Sequence, residues 1–386
     1  MKVAMVDPSL FTLPYDTELR NALVDRGHEV RLFGRPLRGD EKKTVNGAAA
    51  PVDPHFYRWL DGEGWRRAPH SLYLAAKGVN HLWSMTRFLS ELERWRPDVV
   101  HFQWVPLPAV DRLFLEKVRR IAPIVLTVHD SNPFNGNPSS RLQKIGARDI
   151  FGRFDHLIVH TDAARDRLAG GGLAAARISR IPHGLLPAND QGSERPEAPR
   201  TDGTLDLLLF GKIKHYKGVD VLIRAMALLP PAVAARSRAV IAGKPEMPMG
   251  EMRQLAADLG VAERIVFDLR FLDADEMPGL FARSTALVFP YRAIDTSGVL
   301  LAAMAAGRPI VASRLGTFAE LLTDGEHGYL VPPDDPQALA DAVARLLRDE
   351  DGLKRMGANV RALVDSIPSW RDIAGRTEDV YRGLAA

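Results

Sequence analysis

The sequence of 386 residues contains no cysteine. Disulfides, thiolate metal sites and cysteine nucleophiles are therefore excluded. The chain also has no stretch of about 20 uncharged apolar residues, the length that a membrane-spanning helix needs. Its first residues, Met1–Asp7, form a short apolar run that ends in an acid, which predicts a buried strand rather than a signal peptide. We therefore expect a cytoplasmic protein.

The composition as a whole is ordinary, but the charge is unevenly spread. Hydrophobic residues make up 46% and charged residues 26% of the chain, which excludes a disordered or fibrous protein. Residues 1–186 contain 27 Lys and Arg against 20 Asp and Glu, a net charge of +7, whereas the remaining residues contain 24 against 28, a net charge of −4. The length and this imbalance favour two domains with different partners.

Short apolar runs alternate with amphipathic segments from end to end. Runs such as Lys2–Val6, Ile124–Val128 and Ala286–Phe289 are apolar without alternation, which is typical of strands buried on both faces of a parallel sheet. A helix is predicted between the first two strands, over Thr17–Asp25, with Asp16 as its N-cap. The pattern predicts the α/β class, with two doubly wound, Rossmann-like sheets.

One segment interrupts this alternation. Residues 187–204 are polar and rich in proline and glycine, which predicts a linker. It divides the chain into an N-terminal domain at 1–186 and a C-terminal domain at 205–369. The last residues, 370–386, contain an amphipathic helix predicted over Trp370–Leu384.

The clearest candidate binding site follows the predicted strand Leu205–Phe210. In doubly wound sheets, ligands bind beyond the carboxyl ends of the strands. The loop at this end, Gly211–Gly218, carries Lys212, Lys214 and Lys217 and precedes a predicted helix. Lysines beside the N–H groups of a helix start suit a diphosphate, and the alternative is an ordinary solvated basic loop.

A second loop follows the predicted strand Ala286–Phe289. It contains Asp295, Thr296, Ser297, Gly298 and Val299. Hydroxyl groups and a glycine at this point indicate either a simple helix N-cap or a phosphate-binding turn. The lysine loop would lie on the same sheet edge, which favours the phosphate. Farther along the chain, Glu320 is either a surface acid or an acceptor of hydrogen bonds from ligand hydroxyl groups.

Polar residues also end the strands of the first domain. They are His101, Gln103, His129 and Asp130, with His183 just before the linker. A histidine at a strand end is a candidate acid, base or hydroxyl ligand. A structural histidine bonded to the backbone is an equally good interpretation of each one alone.

Several motifs follow one another in the order of a known enzyme family. They are Arg26–Val30, Thr127–Asp130, Ile181–Gly184, Phe210–Lys212 with Lys217–Gly218, Ala303–Ser313 and Gly328–Pro333. Together they resemble the family 4 (group 1) glycosyltransferases with the GT-B fold, along nearly the whole chain. The resemblance implies two Rossmann-like domains facing across a cleft, with a nucleotide-sugar donor in the second and an acceptor in the first. The end around Trp370 resembles the terminal helix of that family, which crosses back onto the first domain.

The resemblance also implies roles for individual residues. Lys212 and Lys217 match the two positions that grip the donor diphosphate. The donor site would further include Gly211, Asp295, Thr296, Ser297, Gly298, Val299, Glu320 and His183. His129 and Gln103 would contact sugar or acceptor, and Asp130 or Asp16 would be the base if the reaction inverts. The family implies no essential metal and no cofactor besides the nucleotide-diphosphate sugar, which is a substrate.

The chain departs from the family pattern at two points. The family's paired glutamates would fall at Ile294 and Ala302, and a catalytic-site histidine would fall at Gln103. The sequence Asp-Thr-Ser-Gly-Val at 295–299 is instead similar to some transferases of surface polysaccharide assembly. These departures leave open how the ribose is held and whether configuration is retained or inverted. They also keep two alternatives open, a non-catalytic relative that binds sugar nucleotides and a nucleotide-sugar epimerase.

The expected function is the transfer of a hexose to a hydroxyl group of a glycolipid or saccharide, in surface polysaccharide or glycolipid synthesis. The tract Phe56–Trp95 mixes tryptophan with arginine. With the basic first half, it favours peripheral contact with an anionic membrane at the inner face of the cytoplasmic membrane, and the alternative is a solvated surface. No recognition motif for nucleic acid appears, and no G-x-G-x-x-G follows the first strand, so neither nucleic acid nor a dehydrogenase is expected.

Overall fold

The computed structural model describes residues 1–38, 41, 52–60, 69–131, 149–186, 203–273 and 276–385. They form two compact units. Unit 1 contains the described residues up to Gly184 and those from Pro368 onward, and unit 2 contains those from Leu185 to Ile367. Of the predicted linker, residues 187–202 lie outside the described part of the chain.

Unit 1 is built on a seven-stranded parallel sheet. Its strands are β1 Lys2–Val6, β2 Glu29–Gly34, β3 Val52–Pro54, β4 Val99–Phe102, β5 Ile124–Val128, β6 His156–Val159 and β7 Ile178–Arg180, in the spatial order β3-β2-β1-β4-β5-β6-β7. Alternate residues of β1 enter two hydrophobic cores, Ala4 and Val6 in one and Val3 and Met5 in the other. Both faces of this sheet are therefore covered, as expected for parallel strands.

Unit 2 repeats this plan with a six-stranded parallel sheet. Its strands are β8 Leu205–Phe210, β9 Ser237–Ala242, β10 Ile265–Asp268, β11 Ala286–Phe289, β12 Ile310–Ser313 and β13 Gly328–Val331, in the order β10-β9-β8-β11-β12-β13. Leu207 and Leu209 enter one core, and Leu208 and Phe210 enter the other. The strand order reverses between β8 and β11, and ligands of such sheets bind at this reversal. The predicted α/β class with two Rossmann-like sheets is confirmed.

Helices connect the strands of both sheets. The described helices are α1 Leu13–Asp25, α2 His70–Trp95, α3 Pro108–Arg119, α4 Asp162–Gly170, α5 Val219–Leu228, α6 Pro231–Ala234, α7 Gly250–Asp258, α8 Glu276–Arg283, α9 Gly298–Met304, α10 Gly316–Leu321, α11 Pro336–Arg348, α12 Glu350–Ala362 and α13 Trp370–Ala385. A 3₁₀ turn, His215–Lys217, follows β8. No helix among the described residues is both long and apolar enough to span a bilayer.

The first helix begins earlier than its predicted start at Thr17. Helix α1 starts at Leu13 and carries Pro14 in its first turn, a position that the fixed φ of proline favours. The N-cap residue is Thr12, so the prediction of Asp16 as N-cap is wrong. Asp16 lies inside the helix and is completely buried.

Helix α2 was missed by the sequence pattern, which shows the tract Phe56–Trp95 only as an aromatic and basic mixture. Met85, Phe88 and Leu92 are buried at helical spacing and would have predicted the helix. Other faces of α2 also carry apolar residues, such as Val79 and Trp83, so no single apolar stripe stands out. Residues 61–68 of the tract lie outside the described part.

The last helix, α13, packs against α1 in unit 1. Ile373 and Tyr381 of α13 share a hydrophobic core with Leu19 of α1. The Tyr381 hydroxyl group lies 2.7 Å from His101 Nδ1, and Arg26 Nε donates to a carboxylate oxygen of Glu378 over 2.8 Å. The C-terminal end of the chain is thus part of the hydrophobic core of unit 1.

Two carboxyl groups are buried beside each other where β1 ends and α1 begins. The Thr12 hydroxyl group lies 3.3 Å from Asp7 Oδ2 and 3.1 Å from Asp16 Oδ1. Burial raises the pKa of both carboxyl groups, and the charge of Asp7 raises the pKa of Asp16 further. Folding therefore favours a protonated form of this pair.

We expect the Asp16→Asn substitution to change how stability depends on pH. A carboxyl group whose pKa is raised by folding binds more protons in the native state, so its contribution to the free energy of unfolding falls as pH rises above the unfolded pKa of about 4. Asparagine keeps a carbonyl acceptor for Thr12 but carries no charge. The free energy of unfolding of the variant, relative to the wild type, should therefore increase between about pH 4 and pH 7, by about 1.4 kcal/mol for each unit of pKa elevation that is removed.

Urea denaturation at a series of pH values measures this difference. The matched control is Asp25→Asn, at an exposed carboxylate at the end of the same helix. That variant should show no comparable trend with pH. A constant difference between Asp16→Asn and the wild type at every pH would contradict the proposed ionisation of the pair.

Candidate functional site

Three loops of unit 2 meet at the carboxyl ends of β8, β11 and β12. The backbone N–H of Arg292, after β11, donates to the carbonyl of Tyr216 in the lysine loop over 2.7 Å. The N–H of Thr317, in α10, donates to the carbonyl of Asp295 over 2.9 Å. The predicted grouping of the lysine loop with the Asp295–Val299 turn is therefore present in the described backbone.

The guanidinium group of Arg292 forms hydrogen bonds that join the loop after β11 to the lysine loop and α5. It makes a bidentate contact with Asp220 of α5, at 2.9 and 2.7 Å, and also lies 3.2 Å from the carbonyl oxygen of His215. Burial alone would raise the pKa of Asp220, but the hydrogen bonds and charge of Arg292 outweigh it and hold that pKa below its ordinary value. The sequence analysis assigned no role to Arg292, which lies three residues after the end of β11.

Two glycines allow the loops to approach so closely. Gly218 has φ +68°, and a Cβ atom there would overlap the carbonyl oxygen of Pro290. Gly211 has φ +111°, and a Cβ atom there would lie 2.6 Å from Lys217 Nζ and 3.1 Å from a methyl group of Val299. Only glycine combines these backbone angles with the absence of a side chain.

Lys217 lies beneath this contact and is only 3% exposed. Its Nζ donates to the carbonyl of Phe210 over 2.8 Å and to the hydroxyl oxygen of Tyr291 over 2.7 Å. These bonds use two of the three N–H donors of an ammonium group. Burial, with a smaller effect of the Lys214 charge, lowers the pKa of Lys217 to about 7.

The three lysines of the loop have different environments. Lys212 is exposed, and Lys214 Nζ lies 3.3 Å from a carboxylate oxygen of Glu246. Lys217 is the buried one. The loop therefore contains one buried amine, one ion-paired lysine and one solvated lysine.

The Asp295–Val299 turn is both a helix cap and a group of donors. Ser297 is the N-cap of α9, and its hydroxyl oxygen accepts from the N–H of Leu300 over 3.2 Å. Thr296 Oγ1 is buried and has no hydrogen-bond partner among the described residues. Gly298 and Val299 begin the helix, where backbone N–H groups have no carbonyl partner one turn earlier. Donor groups therefore remain for a ligand.

The remaining predicted positions in unit 2 are partly or fully buried. Asp295 is 3% exposed, and Glu320 is half-buried in the second turn of α10. Ile294 and Ala302, where the family's glutamates would fall, pack against the core that contains Phe289. The positions where the family's glutamates would fall are thus partly buried against the hydrophobic core.

Unit 1 contains an open pocket at the carboxyl ends of β4 and β5. Its polar lining residues are Gln103, Thr127, His129 and Asp130, and its apolar ones are Trp104, Val105, Pro108, Leu126, Val128, Ile150 and Phe151. Three of the four predicted catalytic residues, Gln103, His129 and Asp130, therefore line one pocket. Asp16, the fourth, lies with Asp7 as described above and is not among the lining residues.

A row of hydrogen bonds extends from the floor of this pocket. His129 Nε2 lies 3.3 Å from the Gln103 amide, His129 Nδ1 lies 3.1 Å from His160 Nε2, and His160 Nδ1 lies 2.9 Å from the carbonyl oxygen of Ile181. The Tyr15 ring packs against the rings of His129 and His160, with centroid distances of 4.8 and 5.2 Å. The sequence reasoning missed His160, although it directly follows a strand as His129 does.

The structure also describes the surroundings of His101 and His183. The ring nitrogens of His101 bond to the side-chain hydroxyl groups of Tyr381 and Thr127 rather than to the backbone, and burial lowers the pKa of His101 to about 3. His183, predicted to bind the donor, lies in unit 1, where its Nδ1 donates to the carbonyl of Gly184 over 2.6 Å. Burial lowers its pKa to about 4.

Comparison with protein families assigns both parts of the chain. Residues 17–187 match the model of Glycosyltransferase Family 4, and residues 204–349 match the model of Glycosyl transferases group 1. Together these matches include most of unit 1 and the sheet of unit 2.

Several curated proteins are similar over most of their length. An uncharacterized glycosyltransferase of Methanocaldococcus jannaschii is 33% identical and is covered to 92%, with 94% of this chain. A D-inositol 3-phosphate glycosyltransferase of Acidothermus cellulolyticus is 29% identical and covered to 77%, with 86% of this chain. A glycogen synthase of Mycobacterium tuberculosis is 29% identical and covered to 88%, with 94% of this chain.

Solved structures share the fold. The structure of HepE from Anabaena in complex with UDP and glucose has a TM-score of 0.74 at 19% identity, with both chains covered to 100%. That of WaaG, a glycosyltransferase involved in lipopolysaccharide biosynthesis, has a TM-score of 0.67 at 18% identity, with 99% of this chain and 100% of that chain covered. With the two Rossmann-like sheets and the family matches, this chain belongs to the family 4-like, group 1 glycosyltransferases with the GT-B fold.

Proposed function

We propose that this glycosyltransferase moves a hexose from a nucleoside diphosphate sugar to a hydroxyl group of a glycolipid or saccharide. The observation that carries the proposal is the buried amine of Lys217, held beneath three loops at the strand-order reversal of unit 2. An ammonium group with one N–H that has no hydrogen-bond partner among the described residues suits the leaving diphosphate, whose negative charge grows as the bond between sugar and phosphate breaks. The presence of UDP and glucose in the HepE structure supports this donor class.

The donor site extends from Lys217 to the neighbouring loops. Exposed Lys212 supplies a second cation, and the unpaired Thr296 hydroxyl and the N–H groups that begin α9 supply hydrogen bonds to phosphate oxygens. Because lysines provide the positive charge, the proposal includes no metal ion. The carboxylate of Glu320, on a helix joined to the Asp295 loop, is the acceptor for sugar or ribose hydroxyl groups.

The acceptor site is the pocket of unit 1. Its apolar wall, with Trp104, Val105 and Phe151, suits the C–H face of a sugar or the apolar part of a glycolipid, and Gln103 and His129 meet the hydroxyl group. If the reaction inverts, Asp130 is the better placed base, because it lines this pocket and Asp16 does not.

An exposed apolar surface of unit 1 supports peripheral contact with the anionic inner face of the cytoplasmic membrane. This tryptophan surface consists of Trp59, Leu72, Val79, Leu82 and Trp83. Val79 is 69% and Trp59 is 61% exposed, and the Arg87 guanidinium lies 4.6 Å from the Trp83 ring centroid. Aromatic and basic side chains together are typical of membrane interfaces. Such contact would bring a glycolipid acceptor to the enzyme.

Replacement of Lys217 by methionine should weaken donor binding. A hydrogen bond to a charged group contributes about 1.5–3 kcal/mol, so Lys217→Met should raise the dissociation constant of UDP-glucose, or of the sugar nucleotide that binds best among UDP, GDP, ADP and TDP sugars, roughly ten- to a hundredfold. Titration calorimetry measures this constant. Methionine is apolar and of similar length, but it leaves the Phe210 carbonyl and the Tyr291 hydroxyl group without the donor that Lys217 provides, so the free energy of unfolding of the variant is measured beside that of the wild type.

The matched control is Lys354→Met, which removes the same charge from an exposed position on α12. It should bind the sugar nucleotide as the wild type does. Equal donor affinity of Lys217→Met and the wild type would show that Lys217 does not bind the diphosphate.

Donor binding should also take up a proton above neutral pH. The pKa of Lys217 in the free protein is about 7, so at pH 8 this amine is mostly neutral. A bound diphosphate favours the charged form and raises this pKa, so binding should take up close to one proton, and affinity should fall as pH rises above about 7. Titration with a nucleotide sugar in buffers of different ionisation enthalpy measures the uptake without interference from a titrating terminal phosphate.

In Lys217→Met this proton uptake should be lost. Lys354→Met should retain it, since its lysine lies on an exposed helix surface. Proton uptake of the same size in Lys217→Met would mean that another group titrates on binding.

The tryptophan surface should bind anionic membranes. We expect the protein to sediment with vesicles that contain phosphatidylglycerol and not with pure phosphatidylcholine, because arginine and tryptophan side chains act together at a charged interface. The Leu72→Ser/Val79→Ser double substitution changes only exposed positions and should reduce sedimentation. Leu259→Ser, at an exposed leucine of unit 2, is the control. Equal sedimentation with both kinds of vesicle would remove the membrane proposal.

A further inference from the structure

We propose that Lys77, with Arg35 and Arg38 beside it, forms an anion site in unit 1 that takes the phosphoryl group of a phosphate ester. The site lies at the carboxyl end of β2, and none of its three cations is among the residues that line the pocket. The ester is either a soluble acceptor or the headgroup of a lipid. Its assignment to an acceptor rests on the acceptor role proposed for unit 1, whereas the anion site itself does not.

The backbone places these residues at the ligand edge of the sheet. Strand β2 ends at Gly34, whose carbonyl accepts from the N–H of Phe56 over 2.9 Å. Arg35 and Tyr57 directly follow these two bonded residues, so they leave the sheet at the same point. Helix α2 connects β3 to β4 and therefore begins at this carboxyl edge, with Lys77 in its first half.

The amine of Lys77 lacks an anionic partner among the described residues. Its Nζ lies 5.1 Å from the centroid of the Tyr57 ring, and its three N–H groups make no hydrogen bond or ion pair within that part of the chain. Burial lowers the pKa of Lys77, and the charges of Arg38 and Arg35 lower it further. A bound anion would therefore stabilise the ammonium form.

Tyr57 offers Lys77 a neutral ring and not a phenolate. Its hydroxyl group lies 2.8 Å from His81 Nδ1, and His81 Nε2 lies 2.6 Å from Asp111 Oδ1. All three of these side chains are buried. Burial, with a smaller effect of the Asp111 charge, raises the pKa of Tyr57 well above its ordinary value. The ring face can attract the cation, but it does not neutralise its charge.

The Tyr57 ring is also fixed in the free protein. Tyr57 has φ +53°, in the left-handed region that is uncommon for residues other than glycine. Such a backbone conformation persists where the surrounding contacts enforce it, and the hydrogen bonds of His81 and Asp111 do so here. The site beside Lys77 is therefore formed before a ligand binds.

The two arginines differ in their surroundings. Arg35 is 7% exposed, and its guanidinium group donates to the carbonyl of Ser9 over 3.1 Å and to a carboxylate oxygen of Glu41 over 2.7 Å. Arg38 is exposed, and its backbone N–H donates to the same oxygen of Glu41 over 2.9 Å. The charge of Arg38 lowers the pKa of Lys77 more than that of Arg35 does. Lys77 thus supplies the N–H donors, and the arginines supply further positive charge.

This combination suits a phosphate monoester, which carries nearly two negative charges at pH 7. Lysine binds phosphate as a compact charge, and neighbouring arginines favour the more highly charged anion. Two nearby features provide the rest of such a ligand with a place. Asp111 accepts from the N–H of Leu107, in the loop whose Trp104 lines the pocket. Leu72 and Val79, on the same helix as Lys77, belong to the tryptophan surface.

The Lys77 amine can be followed by nitrogen-15 correlation of Nζ with the Cε protons, assigned by the signal that Lys77→Met lacks. In the free protein we expect a pKa below the ordinary value of about 10.4. Addition of sn-glycerol 3-phosphate should raise it, because a bound dianion favours the ammonium form. The internal control is Lys117, whose Nζ lies 6.0 Å from the Phe114 ring centroid at an exposed position and should not respond.

The backbone amide signals of residues 55–57 report binding at this site in every variant. Lys77→Met should raise the dissociation constant of sn-glycerol 3-phosphate roughly ten- to a hundredfold, and Lys117→Met should leave it unchanged. Because Lys77 donates no hydrogen bond among the described residues, its replacement leaves no acceptor there unpaired, and the variant should fold.

Arg38→Gln tests the site without a change to Lys77. Loss of the Arg38 charge should raise the pKa of Lys77 in the free protein and yet weaken binding of sn-glycerol 3-phosphate. A purely structural role of these residues would not produce both effects.

The source of the phosphate is tested with dihexanoyl phosphatidic acid below its micellar concentration, which carries the same phosphomonoester on two short acyl chains. Tighter binding of this probe, lost in Leu72→Ser/Val79→Ser, would assign the site to a lipid headgroup. Equal binding of the two probes would assign it to a soluble ester.

An unchanged pKa of Lys77 with both phosphate probes, or equal affinity of Lys77→Met and the wild type, would overturn the proposal. Glycerate carries a carboxylate in place of the phosphate, and binding as tight as that of sn-glycerol 3-phosphate would overturn the phosphoryl group as the ligand. Lys217→Met should leave the response of Lys77 intact, so failure of this site is separate from failure of the proposed donor site.

Discussion

The parallel direction of every described strand pair is the constraint on which both candidate sites depend. In each sheet, all carboxyl ends leave the same edge, so residues far apart in sequence are brought together there. Lys217 and Tyr291 meet by this route in unit 2, as His129 and His160 do in unit 1. Backbone hydrogen bonds between the strands thus bring the site residues to one edge of the sheet, and their side chains determine the chemistry there.

The two sites bury different kinds of group, an amine in unit 2 and imidazoles in unit 1. Unit 2 buries an amine, for which the charged form is costly, and compensates with Phe210 and Tyr291 as acceptors. Unit 1 buries the imidazoles of His101 and His129, and burial lowers the pKa of both rings and so favours their neutral forms. The first arrangement suits an incoming anion. The second suits an uncharged hydroxyl group.

Local sequence predicted the strands well and the long-range contacts poorly. Ile124–Val128 and Ala286–Phe289 were predicted with the correct bounds, because continuous apolar runs are typical of covered parallel strands. The start of α1 was misplaced because Asp16 looks like a cap, whereas its burial beside Asp7 depends on tertiary packing. Arg292 could not be recognised as the residue that joins two loops, since its partner Asp220 precedes it by 72 positions. Site residues can be proposed from strand ends, but their hydrogen-bond partners cannot.

The low pKa of Lys217 follows chiefly from the burial of its amine. A carboxylate near a buried amine stabilises its charged form and raises its pKa. In this chain, the positions where the family's glutamates would fall hold Ile294 and Ala302, which are partly buried against the core that contains Phe210 and Tyr291. The charge that does act on Lys217 is that of Lys214, which lowers its pKa further. The free protein therefore holds a buried amine whose charged form is costly, and under the proposed donor role a bound diphosphate would supply the negative charge that stabilises the ammonium form.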